Sequence, residues 1–286
     1  MNYSSCTELS EELKTQISGF LLDCGKQDQL YNEMYLGSEY KYYPDMHTFY
    51  IARDGETVTG FLMIYADTPE CAELSACVLP RMRRQGIFTE LFRLAQQELK
   101  KFRYSTIQLK IEKAFSGREE LLSHYPVHYL HSEYLMIWKN DQDLPTVPAD
   151  GFCLRPAVRE DLSALAQIES ESFGDPADVS ETYVTAAFEG ENSLLYTALL
   201  NETPIGCVSV DRAGRYQYLF ALCIASPYRR QGFGRKLLCS VLPMLSADSS
   251  REITIGVDRE NLAALPLYRS CGFTELTEIQ YYEMNL

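Results

Sequence analysis

The chain is short of positive charge. Among 286 residues, Lys and Arg number 26 against 40 Asp and Glu, a formal net charge of −14. Broad binding to a phosphate backbone needs clustered Lys and Arg, so nucleic acid is not an expected partner. Long apolar runs are missing too. Stretches such as 218–225 (YLFALCIA) fall far short of the roughly 20 residues that cross a bilayer. The N-terminus, MNYSSCTELSEELK, lacks a basic patch followed by an apolar run and does not read as a secretory signal. No CxxC pair occurs among the nine scattered cysteines, most of which sit inside apolar segments. These absences point to a cytoplasmic protein with reduced thiols, no membrane contact and no metal cluster. Histidine does not occur after residue 131. His124, His128 and His131 are spaced like a helical metal stripe, but Pro126 interrupts it, and no metal is expected.

What is present is globular. The chain is 46% hydrophobic, 23% charged and 12% aromatic, and long enough for about two domains, each with its own core. An internal repeat makes this concrete. Residues 81–88 read RMRRQGIF and 227–234 read PYRRQGFG, so the shared RRQG recurs at an offset of 146. The same offset places Tyr50 on Tyr196, Gly60 on Gly206, Cys77 on Cys223, and Ile107, Leu109 and Ile111 on Ile253, Ile255 and Val257. Segment 139–151, KNDQDLPTVPADG, has linker chemistry. The expected organisation is a domain over 1–140, a linker over 141–151 and a domain over 152–286.

Periodicity gives the second copy a coarse order. Residues 152–155 read as a strand, and 159–171 as an amphipathic helix with Leu162, Leu165 and Ile168 on one face. A second helix covers about 179–188, and strands cover 194–200 and 205–210 around an NETP turn. Residues 217–225 form a strand apolar on both faces, followed by a helix from Gly232. A strand at 253–257, a helix over about 261–270 and a last strand near 280–285 complete it. The fold class is α/β (α+β).

The chemistry concentrates at Arg229-Arg230-Gln231-Gly232-Phe233-Gly234-Arg235-Lys236. The first N–H groups of a helix have no internal acceptor, and its dipole places partial positive charge there. Gly232 and Gly234 let an anion approach the backbone. In so acidic a chain this cation cluster needs an anionic ligand or local carboxylates. It is not a Walker loop, and it lacks the third glycine of a dinucleotide fingerprint. Downstream, 253–273 read ITIGVDRENLAALPLYRSCGF.

R-x-x-G-x-G after a strand, then N-x-x-A-x-x-L-Y-x-x-x-G-F, resembles the GCN5-related N-acetyltransferase (GNAT) superfamily. The resemblance covers 152–286 and, in weaker form, 1–140. It implies two tandem acyl-CoA N-acyltransferase domains, each a mixed, mostly antiparallel twisted sheet flanked by helices. It further implies acetyl-CoA as cosubstrate and acetyl transfer to a primary amine of a small molecule or peptide in a ternary complex. Leu222, Cys223 and Ile224 would pair with the pantetheine arm. Arg229, Arg230, Gln231, Gly232, Phe233, Gly234 and Arg235 would hold the pyrophosphate. Asn261 would contact the cofactor, and Tyr268 would protonate the departing thiolate.

The first copy departs at the chemical positions. Gly232 falls on Gly86, but Gly234 falls on Phe88, Asn261 on Phe115, Tyr268 on Leu122, and Gly272-Phe273 on Pro126-Val127. That copy is expected to keep the fold without the acid, and whether its Arg83–Gly86 turn still binds acetyl-CoA stays open. Candidates for the general base are Asp258, Glu169 and Glu171, beside a water path. The stretch 31–50, with six tyrosines, maps where this family builds its acceptor cleft. Residues 141–286 carry 11 Lys and Arg against 21 Asp and Glu, a balance that suits a cationic amine. A monomer (an internal pseudo-dimer) or a weak homodimer is expected. Two further readings stand beside catalysis in the second domain: a non-catalytic acyl-CoA-binding sensor or interaction module, and two active domains with different acceptors.

Overall fold

A computed structural model describes residues 1–140, 144, 147, 150–248 and 251–286; the rest of the expected linker lies outside the described residues. The chain divides into two compact units. One comprises Met1–Glu133 with Thr277–Leu286, the other Tyr134–Leu276.

In the first unit the chain runs β1 (Asn2–Cys6), α1 (Glu11–Asp28), β2 (Phe49–Asp54), β3 (Thr57–Tyr65), β4 (Cys71–Val78), α2 (Ile87–Lys101), β5 (Thr106–Glu112) and α3 (Arg118–Ser123). Strand β6 (His128–Trp138) begins here and ends in the second unit. β1 to β4 pair antiparallel in chain order, β4 and β5 pair parallel, and Ile279–Asn285 of β12 (Phe273–Asn285) lie antiparallel on β5. The sheet is mixed, mostly antiparallel and twisted. α1 packs Ile17, Phe20 and Cys24 on one face, over Phe49, Ile51 and Phe61. α2 packs Leu91, Phe92 and Leu99 with Leu62, Leu74, Ile107 and Leu109.

The second unit repeats the plan: β7 (Phe152–Pro156), α4 (Leu162–Phe173), α5 (Ala177–Glu189), β8 (Ser193–Leu200), β9 (Thr203–Asp211), β10 (Gln217–Ile224), α6 (Phe233–Asp248), β11 (Ile253–Asp258) and α7 (Ala264–Ser270). β7 to β10 pair antiparallel in chain order, β10 and β11 pair parallel, and β6 follows β11. β8 and β9 meet at Asn201 and Glu202, with φ of 48° and 68°, the double positive φ of a tight hairpin. α6 and α7 cover one face through Leu237, Leu238, Val241, Leu265 and Tyr268. α4 and α5 cover the other through Leu165, Ile168, Val184 and Ala187, with Cys207 and Cys223 from the strands.

Two differences from the periodicity reading have physical causes. The last helix begins at Ala264, because the Asn261 side chain accepts the Ala264 N–H at 2.9 Å and so acts as a cap before it. The last strand is 13 residues long because it starts in the second unit and finishes in the first. Each unit therefore takes its final strand from the other half of the sequence.

Candidate active site

The site grows from a break in β10. Its pairing with β9 runs Phe220↔Ser209, then shifts to Cys223↔Cys207, so β10 carries an extra residue. Ala221 sits there at φ 48°, a left-handed conformation that costs a residue with a Cβ roughly 1–2 kcal/mol. Gly206 lies opposite, and a Cβ there would collide with the Cys223 carbonyl and come within 2.7 Å of Ile224 Cδ1. Only glycine lets the strands close over the bulge. On its other edge β10 pairs with β11 only over Gln217–Leu219. Leu222, Cys223 and Ile224 thus lie where the two strands part. Cys223 points to the α4/α5 face, while Leu222 and Ile224 pack on the α6/α7 core.

Ala225 leads through a 3₁₀ turn at Ser226–Tyr228 into the RRQG turn. Arg230 has φ 63° and Gly232 φ 86°, so the backbone folds into a concave nest of N–H groups. The first helical bond of α6 runs from Lys236 N–H to Gly232 C=O at 3.1 Å. The N–H groups of Phe233, Gly234 and Arg235 therefore have no intrahelical acceptor and face out of the helix start. The Phe233 ring is core, 6.0 Å from that of Phe152. Gly234 abuts α7, where an added Cβ would stand 3.2 Å from Leu267.

The cations of the turn divide by role. Arg229 turns inward, giving Nε–H to Ile224 C=O at 2.7 Å and Nη2–H to Ser172 Oγ at 2.7 Å, so it braces the turn. Lys236 pairs with Asp150. Arg230 makes no ion pair among the described residues, and Arg235 reaches only Ser270 C=O, at 3.5 Å. Gln231 donates to Pro227 C=O at 2.8 Å. Asn261 is exposed, and its Oδ1 accepts the Ala264 N–H.

Tyr268, on α7, is 6% exposed with its ring 6.0 Å from Phe273. The ring is buried, but the hydroxyl, which has no hydrogen-bond partner among the described residues, is not one of the buried unpartnered polar atoms and so reaches solvent. Burial first, and the neighbouring Cys223 second, push its pKa up to about 12. It therefore keeps its proton at neutral pH and can donate it.

The matching turn of the first unit has the same backbone: Arg84 at φ 62° and Gly86 at φ 80°. Two of its three arginines are paired within the chain, while Arg81 makes no ion pair among the described residues. Arg83 forms a forked pair with Asp28, Nη1 to Oδ1 at 2.9 Å, and Arg84 pairs with Glu120. The Arg83 guanidinium also lies 5.2 Å from the Phe115 ring centroid. At the end of β5 the Glu112 carboxylate accepts the N–H groups of Tyr31 and Asn32, at 2.9 and 3.0 Å. β3 and β4 keep an unbroken register from Gly60↔Val78 to Tyr65↔Glu73, so there is no bulge. Phe88 stacks on Phe92 at 5.5 Å and meets the Tyr125 ring edge-on at 6.0 Å. The tyrosine-rich stretch packs on itself and the core, Tyr35 against Tyr40 and Tyr65, and Tyr43 against Phe102 and Tyr104. His131 stacks on Tyr281 at 4.3 Å.

Among the described residues, no group of His, Cys, Asp and Glu could hold a metal ion, and no helix is long and apolar enough to cross a membrane. The model of the acetyltransferase (GNAT) family matches residues 15–120 and again 162–273. The chain belongs to this family. It is a tandem acyltransferase, one GNAT match in each half of the sequence. Over 123 residues it is 31% identical to N-alpha-acetyltransferase 30 of Saccharomyces cerevisiae, a match spanning 38% of this chain and 70% of that protein. Among solved structures, it is similar to a tandem GNAT protein from the clavulanic acid biosynthesis pathway. The TM-score is 0.75 at 15% identity, over 99% of this chain and 98% of that one. It is also similar to a GCN5-related N-acetyltransferase from Sphaerobacter thermophilus, with TM-score 0.74 and 16% identity over 99% and 95% of the two chains.

Three features of this GNAT chain escaped sequence reasoning. The Ala221 bulge has no compositional mark, because alanine is not a residue expected at positive φ. Ser172 reaches the turn from 57 residues away. Glu169, named only as one of three base candidates, proves to be 3% exposed.

Proposed function

We propose that the second domain, 152–286, transfers the acetyl group of acetyl-CoA to a primary amine of a small molecule or peptide, by direct attack in a ternary complex. Residues 1–140 are a degenerate copy of the same fold, with 141–151 as linker. The observation that carries this reading is Tyr268: a protonated phenol with a buried ring and a hydroxyl open to solvent and free of any protein partner among the described residues, in the same unit as the strand that breaks at Ala221.

The residues present fit a CoA thioester. The free edge of Leu222–Ile224 offers backbone groups to an amide-bearing arm. The nest from Arg229 to Arg235 offers unpaired N–H groups and, in Arg230 and Arg235, cations without carboxylate partners to a pyrophosphate. Asn261 stands on the connection between β11 and α7. Tyr268 supplies a proton to a leaving sulfur. The rate gain comes from holding two reactants together and from polarising the carbonyl with bulge backbone donors. A cationic acceptor suits the acidic second half. The likeness to an N-alpha-acetyltransferase makes peptide α-amines the first class to try. Nine free cysteines suit a reducing cytoplasm.

The test is acetylation of a pooled peptide set covering every N-terminal residue, read by CoA release. The wild-type chain is expected to turn over, and Tyr268→Phe to lose about 100-fold in kcat with acetyl-CoA affinity within twofold. An unchanged kcat in Tyr268→Phe would remove the assignment.

A further inference from the structure

Glu169 is a carboxylate in an apolar place. It lies on the buried side of α4, beside Leu165, Ala166 and Ile168. It faces Cys207 of the sheet. The only hydrogen bond that reaches it among the described residues is weak, from Cys207 Sγ to Oε1 at 3.5 Å. The same thiol lies 3.5 Å from Cys223 Sγ and 3.8 Å from the Ala221 carbonyl at the bulge. Carboxyl, thiols and the freed bulge backbone therefore share one spot on the α4/α5 face. Tyr268 belongs to the α6/α7 face and senses Cys223 electrostatically.

A buried carboxyl with one weak donor has no structural partner that would justify its charge, which marks it as a group kept for chemistry. The other two base candidates differ. Glu171 is exposed and receives Gln167 Nε2–H at 2.9 Å. Asp258 is half-buried, and its Oδ1 accepts the Glu260 N–H at 2.6 Å, a local turn contact. The groups acting on Glu169 are few. Cys207 of β9 donates to it, with Cys223 of β10 behind, and Asp175 follows α4. From α5 the buried side chains are Ser180, Val184 and Ala187, and from β8 Leu195, none of them charged. Burial pushes the Glu169 carboxyl up to about 7, the Cys207 hydrogen bond opposes the shift and Asp175 adds to it.

We propose that Glu169 takes the proton from the acceptor amine, directly or through one water, on the face of the opened sheet opposite Tyr268. This rests on the acetyl-transfer reading above. The proton balance closes. Glu169 accepts the acceptor's N–H proton as the nitrogen lone pair forms the N–C bond to the thioester carbonyl. The C–S bond breaks with its electrons on sulfur, and Tyr268 gives sulfur its proton. Glu169 then releases its proton to solvent, and Tyr268 regains one.

The experiment uses the full chain, acetyl-CoA and the pooled peptides, with kcat/KM followed from pH 5.5 to 9. A second readout needs no turnover: infrared titration of buried carboxyls in the free protein. Wild type is expected to show an acid limb and a carboxyl band, both with midpoints near 7. In Glu169→Gln both disappear, transfer falls at least 100-fold, and acetyl-CoA affinity stays within twofold. Cys207→Ala removes the opposing hydrogen bond and moves both midpoints up, and Cys207→Ser brings them back down. Retention of the acid limb in Glu169→Gln, with Tyr268→Phe impaired, would overturn Glu169 and leave acetyl transfer standing. Failure of wild type to bind acetyl-CoA or to acetylate the pool would overturn the transfer reading and this assignment with it.

Discussion

The two RRQG turns share a backbone and differ in electrostatics. Arg84 and Gly86 adopt φ of 62° and 80°, and Arg230 and Gly232 adopt 63° and 86°. In the first turn both arginines of the pair meet a carboxylate of their own chain, Asp28 and Glu120. In the second, Arg229 leans on the neutral Ser172 and Arg230 has no ion pair among the described residues. The strand before the turn differs as well, regular in β4 and bulged in β10. Backbone geometry is evidently inherited with the fold, whereas anion affinity depends on which side chains are left without partners. Arg83 and Arg84 already meet carboxylates, so an anion must displace charge-assisted bonds to reach them, and Arg81 is left as a cation of that segment without an ion pair among the described residues.

The comparison breaks most sharply at the acid. Tyr268→Phe is expected to lower kcat about 100-fold, while Leu122→Ala at the matching site of the first unit changes it less than twofold. Steady-state kinetics on both variants checks this. An equal loss in Leu122→Ala, which removes no proton donor, would show that the effect of Tyr268→Phe is structural and not that of a lost acid.

Comparable in size is a stability effect confined to Glu169. Its folded pKa is raised, to about 7 from 4.5, so the folded state holds this proton more tightly than the unfolded chain. That contribution is complete below about pH 4.5 and is lost as pH rises through about 7, on the order of 3 kcal/mol. Glu169→Gln should therefore unfold later than wild type in urea at pH 8, and near wild type at pH 5.

Smaller still is the contrast between the unpaired and paired arginines. Arg230→Ala should weaken acetyl-CoA about tenfold, the loss of one charge-assisted phosphate bond, and Arg84→Ala should leave affinity unchanged. Fluorescence or calorimetric titration separates the two. The smallest effect is one on which the units should agree. Gly86→Ala and Gly232→Ala each place a Cβ at positive φ and should each cost about 1 kcal/mol in thermal unfolding.

Much of this was legible in the residues. The repeat offset, the strand–turn–helix around RRQG and the buried Leu162–Ile168 face follow from spacing alone. The sequence shows two copies but not which half supplies each last strand. Both copies end in apolar and aromatic runs, YLMIW and IQYYEM, that suit either sheet. The pairing of Arg83 with Asp28 spans 55 residues and has no local signal. The burial of Glu169 did have one: it follows Ile168 and stands four residues after Leu165, on the apolar stripe. A charged letter in an amphipathic helix is usually read as solvent-facing, and only the packing against Cys207 shows otherwise.

Calorimetric titration of the full chain with acetyl-CoA bears most directly on the asymmetry of the two units. One molecule per chain is expected, with affinity lowered by Arg230→Ala and untouched by Arg84→Ala. Two equivalent sites, or a site lost on Arg84→Ala, would contradict it.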